Sequence, residues 1–240
     1  MEFNKLLDSL AFKYKDNVLA KFFVRPFYRM KVKHAENIRR KLFHLNAEEL
    51  LKKIKMALDD NNVFFWLEFG TLLGVYRENN FIEHDLDLDI GVFFEDTYKI
   101  NGILKDYGFV KIKEYKVGDD GCLGFEETYK YKGVTVDVFY FHKNEDMMYC
   151  ITFSAFENEY VDNLSLFQVK QISVPFNGFS KIEFKGTWFN IPQKTEEHLA
   201  AHYGVNFMIP NAKFDYKKEA TNIHWFSREE RIACYNNKDF

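Results

Sequence analysis

Residues 70–89, GTLLGVYRENNFIEHDLDLD, decide the architecture. A Gly-Thr turn opens a short apolar run that ends at Arg77. After a polar bend, aspartates occupy every second position: Asp85, Asp87 and Asp89. Leu86, Leu88 and Ile90 fill the alternate positions, so the segment has the period of a strand with one apolar and one carboxylate face. Side chains two apart on a strand stand roughly 6.5–7 Å from each other. Carboxylates lined up at that spacing repel unless a cation sits among them. Mg2+ or Mn2+, hard ions that take oxygen ligands, resolves the conflict. The simpler reading of a DxD, a solvated acidic edge strand, accounts less well for a third aspartate that follows a glycine turn and an arginine.

A fourth carboxylate lies further along. Residues 133–141, GVTVDVFYF, form an almost wholly apolar, β-branched and aromatic run, the pattern of a buried strand. Asp137 sits in its middle, where an unpaired carboxylate costs several kcal/mol and needs a cation, strong donors or a raised pKa. One reading is a structural aspartate bonded to backbone amides. The preferred one sets Asp137 beside the Asp87/Asp89 strand as the third carboxylate of a metal cluster.

Glycine turn, helix, DxD strand and a later strand bearing one acid: this order resembles the nucleotidyltransferase (polymerase β-like) fold. The resemblance implies an α+β architecture with a mixed sheet flanked by helices, here preceded by an N-terminal helical segment. Within that fold, FWLEFGTLLGVYRENNFIEHDLDLDIGV (65–92) resembles the LicD/fukutin family, whose signature runs approximately GTLLGxxR and then I-P-W-D-x-D-x-D. GTWFNIPQKTEEHLAAHYGVNFMIP (186–210) is similar to that family's later pattern of a proline, an acidic-start helix, Tyr-Gly and Met-x-Pro. Glu83-His84 stand where the family has Pro-Trp. His84 is therefore a candidate acceptor contact or acid/base group, with a rim residue of no catalytic task as the plainer reading.

The resemblance implies transfer of a phospho-alcohol (phosphocholine, ribitol phosphate or glycerol phosphate) from a CDP-activated donor to a glycan or lipid-linked glycan hydroxyl, with release of CMP. Such phosphoryl transfer is a matter of positioning and charge neutralisation. Two metal ions about 3.5–4 Å apart can serve the attacking and leaving oxygens together. Asp87, Asp89 and Asp137 are the expected metal ligands, and Asp85 the candidate base or outer ligand. Gly70 and Thr71 open a helix whose first amides can cradle phosphate. Arg77 can pair bidentately with a diphosphate or, more simply, with Glu78 or Glu83. A nucleotidyltransferase that moves NMP from an NTP to a small molecule or protein, and an inactive binding module of the same fold, are the alternatives. The intact aspartate set speaks against the second.

Composition fits a compact enzyme. The 240 residues suffice for a substantial core, divided here into an N-terminal helical segment, 1–58, and a catalytic unit, 59–240. Aromatic residues make up 18% of the chain, and the net charge of −3 argues against general nucleic-acid binding. Cys122, Cys150 and Cys234 are scattered and odd in number, which fits a reducing compartment. No signal peptide and no apolar run of roughly 18 residues is evident. The expectation is a cytoplasmic protein, with peripheral contact at the inner membrane face through 21–55 as the alternative to a solvated basic face. That stretch carries eleven Lys/Arg against three acids, interleaved with Phe22, Phe23, Phe27 and Tyr28. A solvated basic face with its aromatics on the core is the preferred reading there.

The pattern predicts helices up to 58 with a break near Pro26, a strand at 63–67, the motif helix from Gly70, and a helix at 96–106. It predicts strands at 109–115, 125–131, 133–141, 147–155, 166–174 and 181–191, and a helix capped by Thr195 that stops at Gly204. Trp66 and Trp188 are expected in the core, with Tyr76 a candidate stacking partner for cytosine. His198 and His202, four apart on that last helix, lack the Glu of HExxH and are expected on a solvated face. Asp215-Tyr216 is a candidate lining of the acceptor cleft.

Overall fold

The computed structural model describes residues 18–156, 166–211, 214 and 219–236. Helix α1 (Val18–Asp60) is continuous through Pro26, where a break was expected. Proline removes one backbone donor and crowds the carbonyl four residues back; Pro26 is exposed, and the helix continues past it. The C-terminal half of α1 turns Phe43, Ala47, Leu50, Leu51, Ile54 and Leu58 into the core at helical spacing. Asn62, in the left-handed region at φ 55°, ends the helix and reverses the chain. The side chains of Phe22, Phe23 and Phe27 lie outside those described, as do Asp215 and Tyr216.

Strand β1 (Phe65–Leu67), helix α2 (Phe69–Glu78) and strand β2 (Asp87–Phe93) follow, then helix α3 (Thr97–Asp106). Strands β3 (Val110–Lys116), β4 (Phe125–Tyr131), β5 (Val134–Asn144), β6 (Met147–Ala155) and β7 (Leu166–Pro175) come next. A hairpin of β8 (Phe179–Phe184) and β9 (Thr187–Pro192) leads to helix α4 (Thr195–Tyr203), with β10 (Ile223–Trp225) and β11 (Ile232–Asn236) last. This is an α+β fold: a mixed sheet of nine strands in the order β1-β2-β5-β4-β3-β11-β7-β10, with β6 joining β5 to β7. Because β6 bridges both, the strands from β5 through β4, β3, β11 and β7 curl back on themselves. The β2–β5 pair is parallel, and every other pair is antiparallel. The residues from Phe43 to Leu58 share one core with β2, β4, β5, α2 and α3.

Three local expectations are corrected. The single strand at 181–191 is a hairpin, because Lys185 and Gly186 both take positive φ, 48° and 75°, as a two-residue primed turn requires. Alternation along β9 sends Phe189 and Ile191 inward and leaves Trp188 55% exposed, while Trp66 is fully buried as expected. Thr195 does not cap α4: its hydroxyl donates to Pro192 O at 2.6 Å, and Lys194 takes the cap position without a side-chain bond. Gly204, at φ 79°, ends α4 as expected.

Candidate active site

The parallel pairing of β2 with β5 assembles the site. It sets Asp89 directly beside Asp137 in register, with Leu88 and Ile90 buried on the opposite face of β2. Asp87 lies one step out on the same face, 3.8 Å from Arg39 of α1. On the far side of β5, Thr128 of β4 pairs with Asp137 and donates its hydroxyl to Asp137 Oδ1 at 2.5 Å. Asp85 is not on the strand, as its period implied, but in the turn before it, where its N–H donates to Ile82 O. Its carboxylate still joins the group, since a β-carbon at Gly70 would fall 3.0 Å from Asp85 Oδ2 and 3.2 Å from Asp89 Oδ2. Any larger residue at the start of α2 would press on both carboxylates.

Gly70 and Thr71 are wired to Asp89. Gly70 N–H donates to Asp89 Oδ2 at 3.1 Å, and Thr71 Oγ1 accepts from Asp89 N–H at 2.8 Å. The helix opens at Phe69, held at a positive φ of 43°, with Glu68 at the cap position. The turn expected to cradle phosphate thus supports the carboxylate, and Thr71 is buried. Arg77 contacts Glu78 Oε1 and donates through Nη1 to Phe207 O at 3.1 Å. It nevertheless shares with Gly70, His84 and Asp85 the wall of one cavity of about 1,050 Å³. Tyr76 points elsewhere, with its hydroxyl donating to Glu196 at 3.0 Å.

A second cavity of about 410 Å³ is lined by Asp137, Glu126, Lys170, His202 and the aromatic rings of Phe69 and Phe139. Tyr203 and Phe214, 5.5 Å apart by ring centroid, wall both cavities. Glu126, Tyr203 and Lys170 are thus site residues that sequence reasoning missed. A signal existed for two of them: Glu126 and Lys170 are charged residues inside strand-patterned runs, as Asp137 is.

The electrostatics follow from crowding acids where water reaches them only in part. Burial is the largest cause of every shift in the set, and like charge adds to most of them. Asp85 rises to about 7, through burial and then Asp87 and Glu78, against Arg77. Asp137 rises to about 6, through burial and Asp87, against the Thr128 hydrogen bond, Lys113 and Arg39. Glu126 rises to about 8, through burial and Asp137, against Lys170 and Lys113. Asp89 is pushed well above the carboxylate range by burial, Asp87, Asp137 and Asp85. Asp87 is raised by burial, opposed by Arg39 and Lys113.

These groups bind protons more tightly folded than unfolded, so they lower stability as pH climbs through their folded values. His202, whose folded pKa is depressed below 6.5, acts in the opposite sense only below that value. In chelator-treated buffer the melting temperature should therefore fall between pH 6.5 and 8. Mg2+ should restore more of it at pH 8 than at pH 6, because only the ionised acids bind it. A melting temperature that rises over this interval would contradict the raised values.

A different set of donor atoms converges more closely. Glu68, His198 and His202 are buried, with the ligating atoms all within 4.8 Å of one another. Burial pushes the Glu68 carboxyl up, but His198 and then His202 outweigh it and hold it well below the carboxylate range. The expected solvated face for this histidine pair is corrected: α4 packs that face onto the Glu68 turn, a partner 130 residues away in the chain.

The LicD/FKTN/FKRP nucleotidyltransferase domain matches residues 62–194, from just before β1 to the end of the β8–β9 hairpin. The chain belongs to the LicD/FKTN/FKRP family. The matched stretch includes Asp85, Asp87, Asp89, Asp137, Glu126 and Arg77, while α4 lies beyond it. Human ribitol-5-phosphate transferase FKTN is 32% identical over 186 residues, which is 75% of this chain and 37% of that protein. The mouse protein of the same name is 30% identical over 187 residues, 76% of this chain and 37% of the relative. An uncharacterized protein of Rickettsia typhi, RT0683, is 31% identical over 148 residues, covering 59% of this chain and 42% of its own length. The chain thus spans little more than a third of the fukutin proteins it matches. Among the described residues no helix is long and apolar enough to cross a membrane.

Proposed function

We propose that the protein transfers a phospho-alcohol from a CDP-activated donor to a glycan hydroxyl, with release of CMP, in a reaction dependent on Mg2+ or Mn2+. The observation that carries this reading is the convergence of Asp85, Asp87, Asp89 and Asp137 beside a cavity whose wall also holds Arg77. The activity named for the human relative, ribitol-5-phosphate transfer, supports phospho-alcohol chemistry in general.

The donor set fits a hard divalent cation. It is all carboxylate and crowded, raised in pKa by burial first and, for Asp85, Asp89 and Asp137, by neighbouring carboxylates. Asp87, Asp89 and Asp137 would hold the metal, which when bound neutralises diphosphate charge and stabilises the attacking and leaving oxygens. The chain's own groups do the rest. The larger cavity, with Gly70, Arg77 and His84, takes the donor, and Arg77 exchanges Glu78 for the diphosphate in a fork-shaped contact that lysine cannot copy. The smaller cavity, with Glu126 and Lys170, receives the acceptor. The acceptor hydroxyl reaches from the smaller cavity towards Asp85 on the wall of the larger one, and the Asp85 carboxyl, at about 7, is matched to take its proton near neutral pH. As that proton leaves, the hydroxyl oxygen bonds to the phosphorus bearing the alcohol. The bond from this phosphorus to the CMP oxygen breaks, and CMP leaves with the electron pair. The basic α1 stretch within 21–55 is the candidate contact for a lipid-linked acceptor.

The test is incubation with Mg2+, an acceptor glycan and, in turn, each CDP-alcohol and each NTP. CMP release with a glycan mass gain of phosphocholine, phosphoribitol or phosphoglycerol is expected. Pyrophosphate release with a nucleoside monophosphate left on the acceptor would replace this reading with nucleotidyl transfer.

A further inference from the structure

Behind the aspartates, three side chains from two distant segments meet at one point. Glu68 ends the link from β1 to α2, and α4 carries His198 and His202 one turn apart on the face packed against it. His198 Nε2 lies 2.7 Å and His202 Nε2 3.2 Å from the same oxygen, Glu68 Oε1. The residues are 0%, 1% and 5% exposed. The other carboxylate oxygen is occupied, because Trp66 Nε1–H donates to Glu68 Oε2 at 2.6 Å. The carboxylate is therefore oriented from behind, with Oε1 presented to both imidazoles.

The geometry points to a buried transition-metal site, of the Zn2+ class, ligated by Glu68 Oε1, His198 Nε2 and His202 Nε2. It is separate from the all-oxygen aspartate group. Two imidazoles and a carboxylate suit zinc and its neighbours, whereas Mg2+ prefers oxygen alone. Two histidines at i, i+4 on one helix face are spaced to share an ion. Ligating histidines usually hand their second N–H to a partner that fixes the ring. Here Asn222 Nδ2 stands 3.3 Å from His202 Nδ1, and Asn222 Oδ1 is buried without a partner. Turning that amide gives the metal-binding tautomer of His202 its acceptor. His202 and Asn222 both line the smaller cavity, so the site borders it.

The consequence is mechanical. An ion here fastens α4, and with it Tyr203, to the Glu68–Phe69–Gly70 turn. That turn holds Phe69 at positive φ and aims Gly70 N–H at Asp89. Metal at the histidines thus positions the carboxylates without touching substrate.

The test uses tag-free full-length protein, stripped with a chelator and returned to Zn2+, Co2+ or Mg2+. About one equivalent of Zn2+ retained through dialysis against excess Mg2+ is expected, with a melting temperature that Mg2+ alone does not reach. Co2+ should give the visible absorption of nitrogen and oxygen coordination. The pair His198→Gln and His202→Gln should lose both signals, and Asp89→Asn should keep both. A wild-type protein that retains no Zn2+ and shows no Co2+ absorption would mean a metal-free hydrogen-bonded network and overturn the proposal. Zinc retained by the histidine double variant, or lost from Asp89→Asn, would overturn it equally. None of these readouts depends on transferase activity, so failure here leaves the reaction assignment standing.

Discussion

Asp89→Asn should lose at least about three orders of magnitude in turnover, roughly 4 kcal/mol of barrier, and yet melt higher than the wild type at pH 8 in chelator. Both effects have one cause. Asp89 is half-buried among Asp85, Asp87 and Asp137, and desolvation and their like charge make its ionised form costly without a cation. Asparagine keeps an oxygen to accept from Gly70 N–H, so the turn is preserved while one of several crowded charges disappears. Relief of that repulsion should raise the melting temperature by a few degrees, as about 1 kcal/mol does in a protein of this size. Addition of Mg2+ should then stabilise the wild type more than the variant. CMP release measures the first effect and calorimetry the second. Activity within tenfold of wild type would remove Asp89 from the site, and a lower melting temperature would refute the repulsion.

Gly91→Ala should be the most damaging single-methyl change in the sheet. Gly91 pairs with Trp66 across β1 and β2, and a β-carbon there would fall 2.3 Å from Trp66 Cε2. The indole cannot withdraw, because it is fully buried, ringed by Phe93, Phe141 and Phe179, and tied through Nε1 to Glu68. The cost should reach about 3 kcal/mol, the upper range for overpacking, or a melting temperature lower by roughly 6–12 °C. Gly102→Ala makes the contrast, since a β-carbon there on α3 meets nothing within 4 Å. It should stabilise by about 0.5–1 kcal/mol through helix propensity alone. Denaturant unfolding of both variants gives the comparison, and equal stabilities would undo the packing argument.

The secondary structure was largely legible because its signals are local. The strand-like runs at 125–131 and 147–155 coincide with β4 and β6, and Gly204 marks the end of α4. The errors were equally local. Lys185-Gly186 makes a primed turn within what looked like one strand, and Pro26 sits in a helix that simply continues.

The candidate site divides along a different line. Asp85, Asp87, Asp89, Asp137, Gly70 and Arg77 could be singled out because unusual residues in periodic runs betray themselves: three acids on one strand face, one acid in an apolar strand, a glycine before a helix. The family could be recognised from the same stretches. What only the tertiary structure decided is which of these meet others from far along the chain. The parallel register of β2 and β5 sets Asp89 against Asp137, and the packing of α4 buries His198 and His202 on Glu68, 130 residues away. The turn before β2 returns Asp85 to a cluster whose strand it does not join. Periodicity states which face of an element is apolar, not which other face covers it. Burial, which raises the acids and brings two histidines to one carboxylate oxygen, belongs to the pair of faces and not to either sequence alone.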